Sequence, residues 1–558
     1  MSRSGNQPGY KVFSISTTIR NPKRNTEFLE VLKLFDDMDL SVVVKDKIYT
    51  EIIRRGIYRF SKLDNVIKEK YEAGIDLTDD EINRIILNNP QKTGDEGRIM
   101  TQIRAIKDSG FLSLTGNRNK KHMKISPLGN QLLEGYDVEN VYTKAMIGLH
   151  SNNPQRDTIY NHARPFLNTL FVINEINKHY GSNKGILWHE FAVFVLSMKD
   201  CDYKSVAEEI IKYREKNKNK MVKFELEKYL YEVVKVNRVE FGSILKDYAD
   251  DVFRKFDMTG LFTKSGFREN TYLRFNDYNI TKVNSILKMY SDYKFETFRD
   301  TESYMNYLSE IKLPWEENEE VKKEIITQQV EELGVTIDTN NSLDEQMKEL
   351  ASIYNKRLFD SSVNRYDINL IKEELKILSR NSNEKSKFDS IPEPVRLEWL
   401  IALVTAKIYG SQYIKPNLSL DSEGIPKSHA AGGMADIEFI SDELYCLIEV
   451  TMMKDYRQQE NSETTSISDH LRNLNVSQDK CSLLLAPIIH NRVIDYFRYC
   501  IFSSKLDILA LTIELYVDVI EKNSSIAEFK KAVHVLVQKM TEIEIKDYAD
   551  MINNFRLA

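Results

Sequence analysis

Apolar positions in the first half of the chain follow the 3.6-residue period of helices, interrupted twice by the same succession of patterns. Residues 98–108 are helical in period. Gly110-Phe111-Leu112-Ser113-Leu114 then reads as a strand, residues 116–121 as a polar turn, His122-Met123-Lys124-Ile125-Ser126 as a second strand and residues 128–133 as a helix. The second stretch repeats this: a helix over 248–256, a strand at Gly260-Leu261-Phe262-Thr263, a turn over 265–270, a strand at Thr271-Tyr272-Leu273-Arg274-Phe275 and a helix over 281–287. A third helical unit is expected over 166–215, around Ile186-Leu187-Trp188-His189-Glu190-Phe191.

Helix, glycine, strand, basic turn, strand, helix is the winged-helix pattern, a helix-turn-helix variant with a β-hairpin wing. Arg104 and Arg254 fall at equivalent places before the glycine. Arg118, Lys120, Lys121 and Lys124 are candidate phosphate contacts of the first wing, which would set affinity rather than sequence choice. They read equally well as a solvated hairpin tip, and Lys212, Arg214, Lys216, Lys218 and Lys220 read better as a solvated helix end.

The pattern changes after residue 315. Glu316-Glu317-Asn318-Glu319-Glu320 is acidic, and helical periods with many charges and little Gly or Pro follow over 324–333 and 343–358. A polar loop at 379–386 and Ile391-Pro392-Glu393-Pro394 introduce a helix over 395–409. A hairpin, a helix around His470, a strand over 482–489, a helix over 491–501 and a strand over 506–514 come next, implying an α/β sheet with covered faces. The predicted fold class is α+β multidomain: winged-helix-like subdomains in 1–300, a helical linker over 301–390 and an α/β domain over 391–558.

The hairpin carries the chemistry. Met434-Ala435-Asp436-Ile437-Glu438-Phe439-Ile440 and Leu447-Ile448-Glu449-Val450-Thr451 read as strands around Ser441-Asp442-Glu443. With Asp442-Glu443 as a two-residue loop, residues whose numbers add to 885 lie opposite each other, and 436 and 449 are such a pair. Their Cβ atoms would stand about 4.5–5.5 Å apart on one face, where like charges are destabilising unless something sits between them. A hard divalent cation is the natural occupant, since Mg²⁺ commonly takes one or two carboxylates plus substrate phosphate oxygens. Taken alone, Asp436 also suits a strand end and Glu449 a surface strand, although Glu449 interrupts the apolar Cys446-Leu447-Ile448.

This spacing resembles the PD-(D/E)XK nuclease core, in which an Asp and a Glu on neighbouring strands hold a metal. Ser428-His429-Ala430-Ala431-Gly432-Gly433 before the Asp, Glu449-Val450-Thr451, and then Gln459, Glu463 and His470 resemble the AlwI/BstNBI family of type IIS restriction endonucleases. Thr17-Thr18-Ile19-Arg20-Asn21-Pro22-Lys23-Arg24 is similar to that family's opening motif, and makes Arg20 and Arg24 further DNA-contact candidates. The resemblance implies Mg²⁺, with Mn²⁺ able to substitute, held by Asp436, Glu449 and the Val450 carbonyl. Glu463 would orient water or a second metal. Glu398, between Leu397 and Trp399, would reach the metal through water or stand as a helix-surface glutamate. His429 would approach the phosphate or close a tight loop, and His470 is open in the same way. Thr451 occupies the usual lysine position, which leaves the group that activates water unidentified, with Lys454 nearby in sequence.

Composition adds two constraints. The net charge of −6 hides an asymmetry: Lys and Arg exceed Asp and Glu by 8 in residues 1–300, leaving −14 for 301–558. A basic half joined to an acidic half suits a part that holds a polyanion and a part that carries carboxylates. Four cysteines without CxxC spacing, no apolar run near the ~20 residues of a membrane helix and no signal-like start point to a cytoplasmic protein of a bacterium or archaeon. The absence of GxxxxGK[ST] argues against ATP-driven translocation. The expected partners are double-stranded DNA, a transient homodimer or small catalytic subunit for the second strand, and a separate methyltransferase protecting host DNA. The expected reaction is Mg²⁺-dependent cleavage a few bases outside a short asymmetric site. The alternatives are a strand-specific nicking enzyme or large subunit, and a non-catalytic winged-helix regulator.

Overall fold

Both places where the helical period breaks form antiparallel hairpins in the computed structural model, which describes residues 11–542 except 20, 56, 58–62, 73–76, 89–96, 117–119, 136, 157–160, 237–239, 267–270, 381–385, 390, 429–433 and 453–463. The first hairpin follows helix Gly97–Asp108 and precedes helix Pro127–Leu133. A short strand, β1 (Met38–Asp39), pairs with the second strand of this hairpin, whose two strands are β2 (Leu112–Gly116) and β3 (Lys121–Ile125). The second hairpin follows helix Ala249–Asp257 and precedes helix Ile280–Met289. Here too an earlier strand, β4 (Ile186–Leu187), joins the second strand of the hairpin, formed by β5 (Phe262–Ser265) and β6 (Tyr272–Phe275). Ile186-Leu187, expected within a helical unit, is thus a strand. Helices Pro165–Tyr180 and Tyr203–Asn217 flank it.

The two modules match at a constant offset, 110 against 260 and 126 against 276. Gly110 and Gly260 turn the chain out of the helix at φ +87° and +68°, a region glycine enters without steric cost. The Phe111 and Leu261 carbonyls accept from the Ser126 and Asn276 amides at 3.1 and 2.9 Å. The side chains of Ser126 and Asn276 then close back on the Gly110 and Gly260 carbonyls, at 2.8 and 2.9 Å. In each hairpin alternate residues face inward, with Leu112, Leu114, Met123 and Ile125 buried in the first and Phe262, Leu273 and Phe275 in the second.

The outer face of the first hairpin carries His122 between two carboxylates, 3.1 Å from Asp37 and 3.1 Å from Asp39. Asp37 first and Asp39 second raise the imidazole above its ordinary pKa. A raised histidine favours the folded contact at low pH, so this link between β1 and β3 is complete below the ordinary imidazole pKa and fades as pH rises through the raised one. Histidine C2 hydrogen exchange followed by mass spectrometry should place the His122 midpoint above ~6.5, and Asp37→Asn should lower it. A midpoint at or below that value in the unaltered protein would contradict the arrangement.

Two buried ion pairs pin this region. Asp251 pairs with Lys255 at 2.5 Å and accepts the Ile15 and Ser16 amides at 2.8 and 2.9 Å, fixing residues near the N-terminus to helix Ala249–Asp257. Arg214 clasps Glu190 through two nitrogens, at 2.8 and 2.6 Å, with both side chains buried.

The C-terminal sheet begins with β7 (Ile414–Pro416). A separate pair, β8 (Ser419–Leu420) with β9 (Pro426–Ser428), comes next in sequence. The sheet resumes with β10 (Ile437–Ile440) and β11 (Leu444–Val450), and β10 is antiparallel to both β7 and β11. On the other side of β11, β12 (Asp479–Ala486) and β13 (Ile508–Thr512) run parallel to it, giving the order β13-β12-β11-β10-β7. Helix Glu393–Tyr409 is buried along most of its length, and Tyr409, Phe439 and Phe529 cluster with ring centroids 5.1–5.6 Å apart. The strand expected over 506–514 is shorter. Thr512 accepts the Leu515 amide at 3.3 Å and starts helix Ile513–Lys522, so Glu514 is helical. The whole is a mixed α+β protein.

The chain divides into two compact units, residues 1–52 with 94–353 and residues 53–93 with 354–558. The stretch 301–390, expected from sequence as a connector, is shared between them, the division falling within helix Leu343–Arg365. Among the described residues no helix is long and apolar enough to cross a membrane.

Candidate active site

The hairpin register follows from its loop. Ser441 donates its amide to the Leu444 carbonyl at 2.9 Å, leaving Asp442-Glu443 as the two-residue connection. Ile437 then faces Ile448, Glu438 faces Leu447, Phe439 faces Cys446 and Ile440 faces Tyr445. Continued by one residue this register sets Asp436 opposite Glu449, as the spacing predicts. Ile437, Phe439, Cys446 and Ile448 are fully buried on one face, so period-2 alternation puts Asp436, Glu438 and Glu449 together on the other.

Asp436 lies just beyond the last paired residue of β10. Its Oδ2 accepts the Val450 amide at 2.8 Å, and the Asp436 amide donates to Glu449 Oε2 at 3.4 Å. The Val450 carbonyl points to the same edge as the Val450 amide, because both groups of a strand residue face one neighbour. The two carboxylates therefore stand together where the β10 ladder ends, with the Val450 backbone on the same edge.

Burial and its neighbours shape Glu449, the Asp436 amide among those that lower its carboxyl. Burial pushes its carboxyl above the usual range, the neighbouring His470 pulls the other way, and the charge of Glu398 adds to the rise. His470, on helix Thr465–Asn473, places Nδ1 3.0 Å from Glu449 Oε1. Glu398 is 3% exposed on the buried helix Glu393–Tyr409. A second polar group adjoins the pair. Glu438 Oε1 accepts from Lys415 Nζ at 2.9 Å and from Asn417 Nδ2 at 2.8 Å, while the Tyr445 hydroxyl donates to Glu438 Oε2. Burial raises the Glu438 carboxyl, but Tyr445, Lys415 and Asn417 together outweigh it and hold the group below its usual range.

The structure thus brings together Asp436, Glu449, the Val450 backbone and Glu398. His429 and Glu463, with Gln459 and Lys454, lie outside the described residues. Thr451 is buried, its amide bonded to the Leu485 carbonyl at 2.9 Å. Sequence reasoning leaves the role of His470 open and misses Glu438, Lys415, Asn417 and Tyr445. Only Glu438 carries a signal, as a charged residue two places from Asp436 in an apolar strand. Lys415 and Asn417 lie in and just after a three-residue strand too short to be read.

Of the DNA-contact candidates, Arg104 and Lys124 are exposed on a helix and on β3, and Lys121 is half-buried. Lys120 pairs with Asp39 at 3.2 Å, Arg254 with Asp250 at 2.7 Å and Arg24 with Glu27 at 3.2 Å. Arg20 and Arg118 lie outside the described residues.

The donors around Asp436 are hard oxygens, which suit Mg²⁺ or Mn²⁺ rather than a soft metal. Among the described residues no group of three or more His, Cys, Asp or Glu stands in ligand geometry. A cation here would therefore be held by the two carboxylates, the Val450 carbonyl, water and substrate oxygens.

One protein-family sequence model, described as AlwI restriction endonuclease, matches residues 108–519. No curated protein is found similar to the chain. Among solved structures, the small subunit of the heterodimeric restriction endonuclease R.BspD6I is 18% identical with a TM-score of 0.28, over 33% of this chain and 100% of that one. Restriction endonuclease FokI is 11% identical with a TM-score of 0.23, over 93% of this chain and 98% of that one. Neither likeness is close enough to weigh on the chemistry.

Proposed function

The chain belongs to the AlwI restriction endonuclease family, a family of site-specific endonucleases, and on that premise we propose that it is a type IIS-like enzyme cleaving DNA a few bases outside a short asymmetric site. The observation that carries the catalytic assignment is the opposition of Asp436 and Glu449 at the open end of β10, with the Val450 amide held by Asp436 Oδ2. In this reading the domain over 391–558 is a PD-(D/E)XK-like cleavage domain. Asp436, Glu449 and the Val450 carbonyl hold Mg²⁺, or Mn²⁺ in its place. When bound, the ion polarises the scissile phosphate, lowers the pKa of an attacking water and neutralises charge on the leaving oxygen.

The protein's own groups do the rest. His470 fixes the rotamer of Glu449 by holding Oε1, leaving Oε2 turned to Asp436. Glu398 adds negative charge beside Glu449, which strengthens the site's demand for a cation. Glu463 and His429 keep their proposed roles of orienting water and approaching the phosphate. With Thr451 in the usual lysine position, a carboxylate or histidine of this set takes the proton from the attacking water.

The two hairpin modules of residues 1–300 are proposed as winged-helix DNA readers joined to the cleavage domain through the helices of 301–390. Arg20, Arg24, Arg104, Arg118, Lys120, Lys121, Lys124 and Arg254 supply phosphate contacts. Lys120, Arg24 and Arg254 exchange their present carboxylate partners for phosphate on binding. A separate methyltransferase would protect host DNA, and the cytoplasm of a bacterium or archaeon is the setting for such a pair.

One centre cuts one strand, so double-strand cleavage calls for a second, from a transient homodimer or a small catalytic subunit. Plasmid DNA incubated with the protein and Mg²⁺, followed by sequencing of the ends, tests the reading. Fixed cuts beside one short motif are expected. Linear product indicates a second centre, and nicked circles indicate a nicking enzyme or an isolated large subunit. Intact plasmid in both Mg²⁺ and Mn²⁺ would overturn the assignment in favour of a non-catalytic DNA-binding regulator.

A further inference from the structure

We propose that Asn417, backed by Glu438, is a positioning residue that sets the metal-binding geometry of Asp436; the inference rests on the metal-site reading above. The register between β7 and β10 pairs Ile437 with Pro416 and Glu438 with Lys415. One step further it places Asn417 opposite Asp436. Asp436 therefore stands between Glu449 on one neighbouring strand and Asn417 on the other, in a row across three strands.

Asp436 needs an anchor from that side. The ladder of β10 with β7 and β11 ends at Ile437, so Asp436 sits at the margin of the sheet, where Asn417 is its partner on the β7 side. Asn417 makes three bonds here, two to the peptide groups that flank Asp436 and one to Glu438. Its amide donates to the Asp436 carbonyl at 3.0 Å, and Nδ2 donates to the Ala435 carbonyl at 2.8 Å and to Glu438 Oε1 at 2.8 Å. The peptide groups on both sides of the Asp436 Cα are thus gripped by one residue. Both hydrogens of the Asn417 amide are used, so its side chain has one orientation that satisfies all its acceptors.

Glu438 is the backstop. It is 8% exposed, and a carboxylate that buried stays charged only with partners around it. Lys415 and Asn417 from the β7 side and Tyr445 from β11 provide them. The network spans β7 and the two strands that carry the candidate metal pair, yet none of its side chains is itself among the proposed ligands. Outer groups of this kind commonly alter metal affinity or activity by about 10–100-fold when removed.

The test uses the full-length protein and Mn²⁺ as the probe. Asn417→Ala is expected to weaken Mn²⁺ binding to the DNA-free protein, measured by calorimetry, by about tenfold or more. It should lower kcat at limiting Mg²⁺, with recovery at high Mg²⁺, and leave KM for DNA and the melting temperature near wild type. Glu438→Gln keeps an acceptor for Asn417 but loses the charge that holds Lys415, and should shift Mn²⁺ binding in the same direction by less. If Asn417→Ala fails to fold, Glu438→Gln carries the test, and unchanged Mn²⁺ binding in that variant overturns the proposal. Asp436→Asn serves as the reference. Loss of Mn²⁺ binding and cleavage in Asp436→Asn, with wild-type values in Asn417→Ala, overturns the positioning role alone. Wild-type values in Asp436→Asn overturn the metal site and the positioning role with it.

Discussion

Asp436→Asn should reduce strand cleavage by at least ~10³-fold, equivalent to about 4 kcal/mol of lost transition-state stabilisation, while leaving affinity for the cognate DNA site intact. Asparagine is the informative substitution because it separates charge from structure. The Val450 amide donates to Asp436 Oδ2 at 2.8 Å, and an asparagine carbonyl can accept the same bond. Alanine would leave that amide without its acceptor and cost about 1 kcal/mol of local stability, clouding the result. What asparagine removes is the negative charge needed opposite Glu449. With no metal present, that charge faces a carboxylate which burial and Glu398 already make reluctant to ionise. The melting temperature of metal-free Asp436→Asn should therefore equal or exceed that of the unaltered protein. Gel-based cleavage, filter binding on cognate DNA and thermal melting make the three measurements. Retained cleavage removes Asp436 from the metal site, and lost DNA binding refutes the division between reading and cutting regions.

Arg214→Met should destabilise the unit formed by residues 1–52 and 94–353 by about 3–5 kcal/mol, since removing one partner of a buried pair strands the other's charge. Arg214 and Glu190 are both buried, and their contact is bidentate. Each also serves the backbone: Glu190 Oε2 accepts the Leu187 amide at 2.7 Å, and Arg214 donates to the Gly185 carbonyl at 2.8 Å. The pair therefore holds both ends of the segment that supplies β4 to the second hairpin module. Combining Arg214→Met with Glu190→Leu should recover part of the loss, because no charge is then left buried, but not all of it, because the Leu187 amide and Gly185 carbonyl lose their partners. Denaturant melts of both variants read the difference. A single variant as stable as the unaltered protein would show that the pair contributes nothing net, and full recovery in the double variant would show that the backbone bonds do not matter.

These two expectations rest on parts of the protein that are unequally legible in its sequence. The Asp436–Glu449 opposition is legible in the order of residues alone, because strand alternation has a period of two and a two-residue loop leaves one register. The helix–glycine–hairpin–helix order of the two modules is legible for the same local reason: glycine at positive φ and alternating apolar residues are written in adjacent positions. The Glu190–Arg214 pair is not. In the sequence Arg214 is one of a run of basic residues that suits a solvated helix end, and nothing in its neighbourhood along the chain announces that its partner is a buried carboxylate 24 positions earlier.

The sequence by itself therefore determined the register of the hairpin that carries Asp436 and Glu449, the repeated module and the two carboxylates that face each other, since each depends on residues a few places apart. Tertiary structure decided which distant groups close around them. It brought His470 to Glu449 over 21 positions, Glu398 beside the same carboxylate and Asn417 to the Asp436 backbone, and it joined β1 and β4 to hairpins far along the chain. Those choices depend on how helices and short strands pack over a shared core, and a side chain's eventual neighbours across such a distance leave no periodic trace in the order of residues.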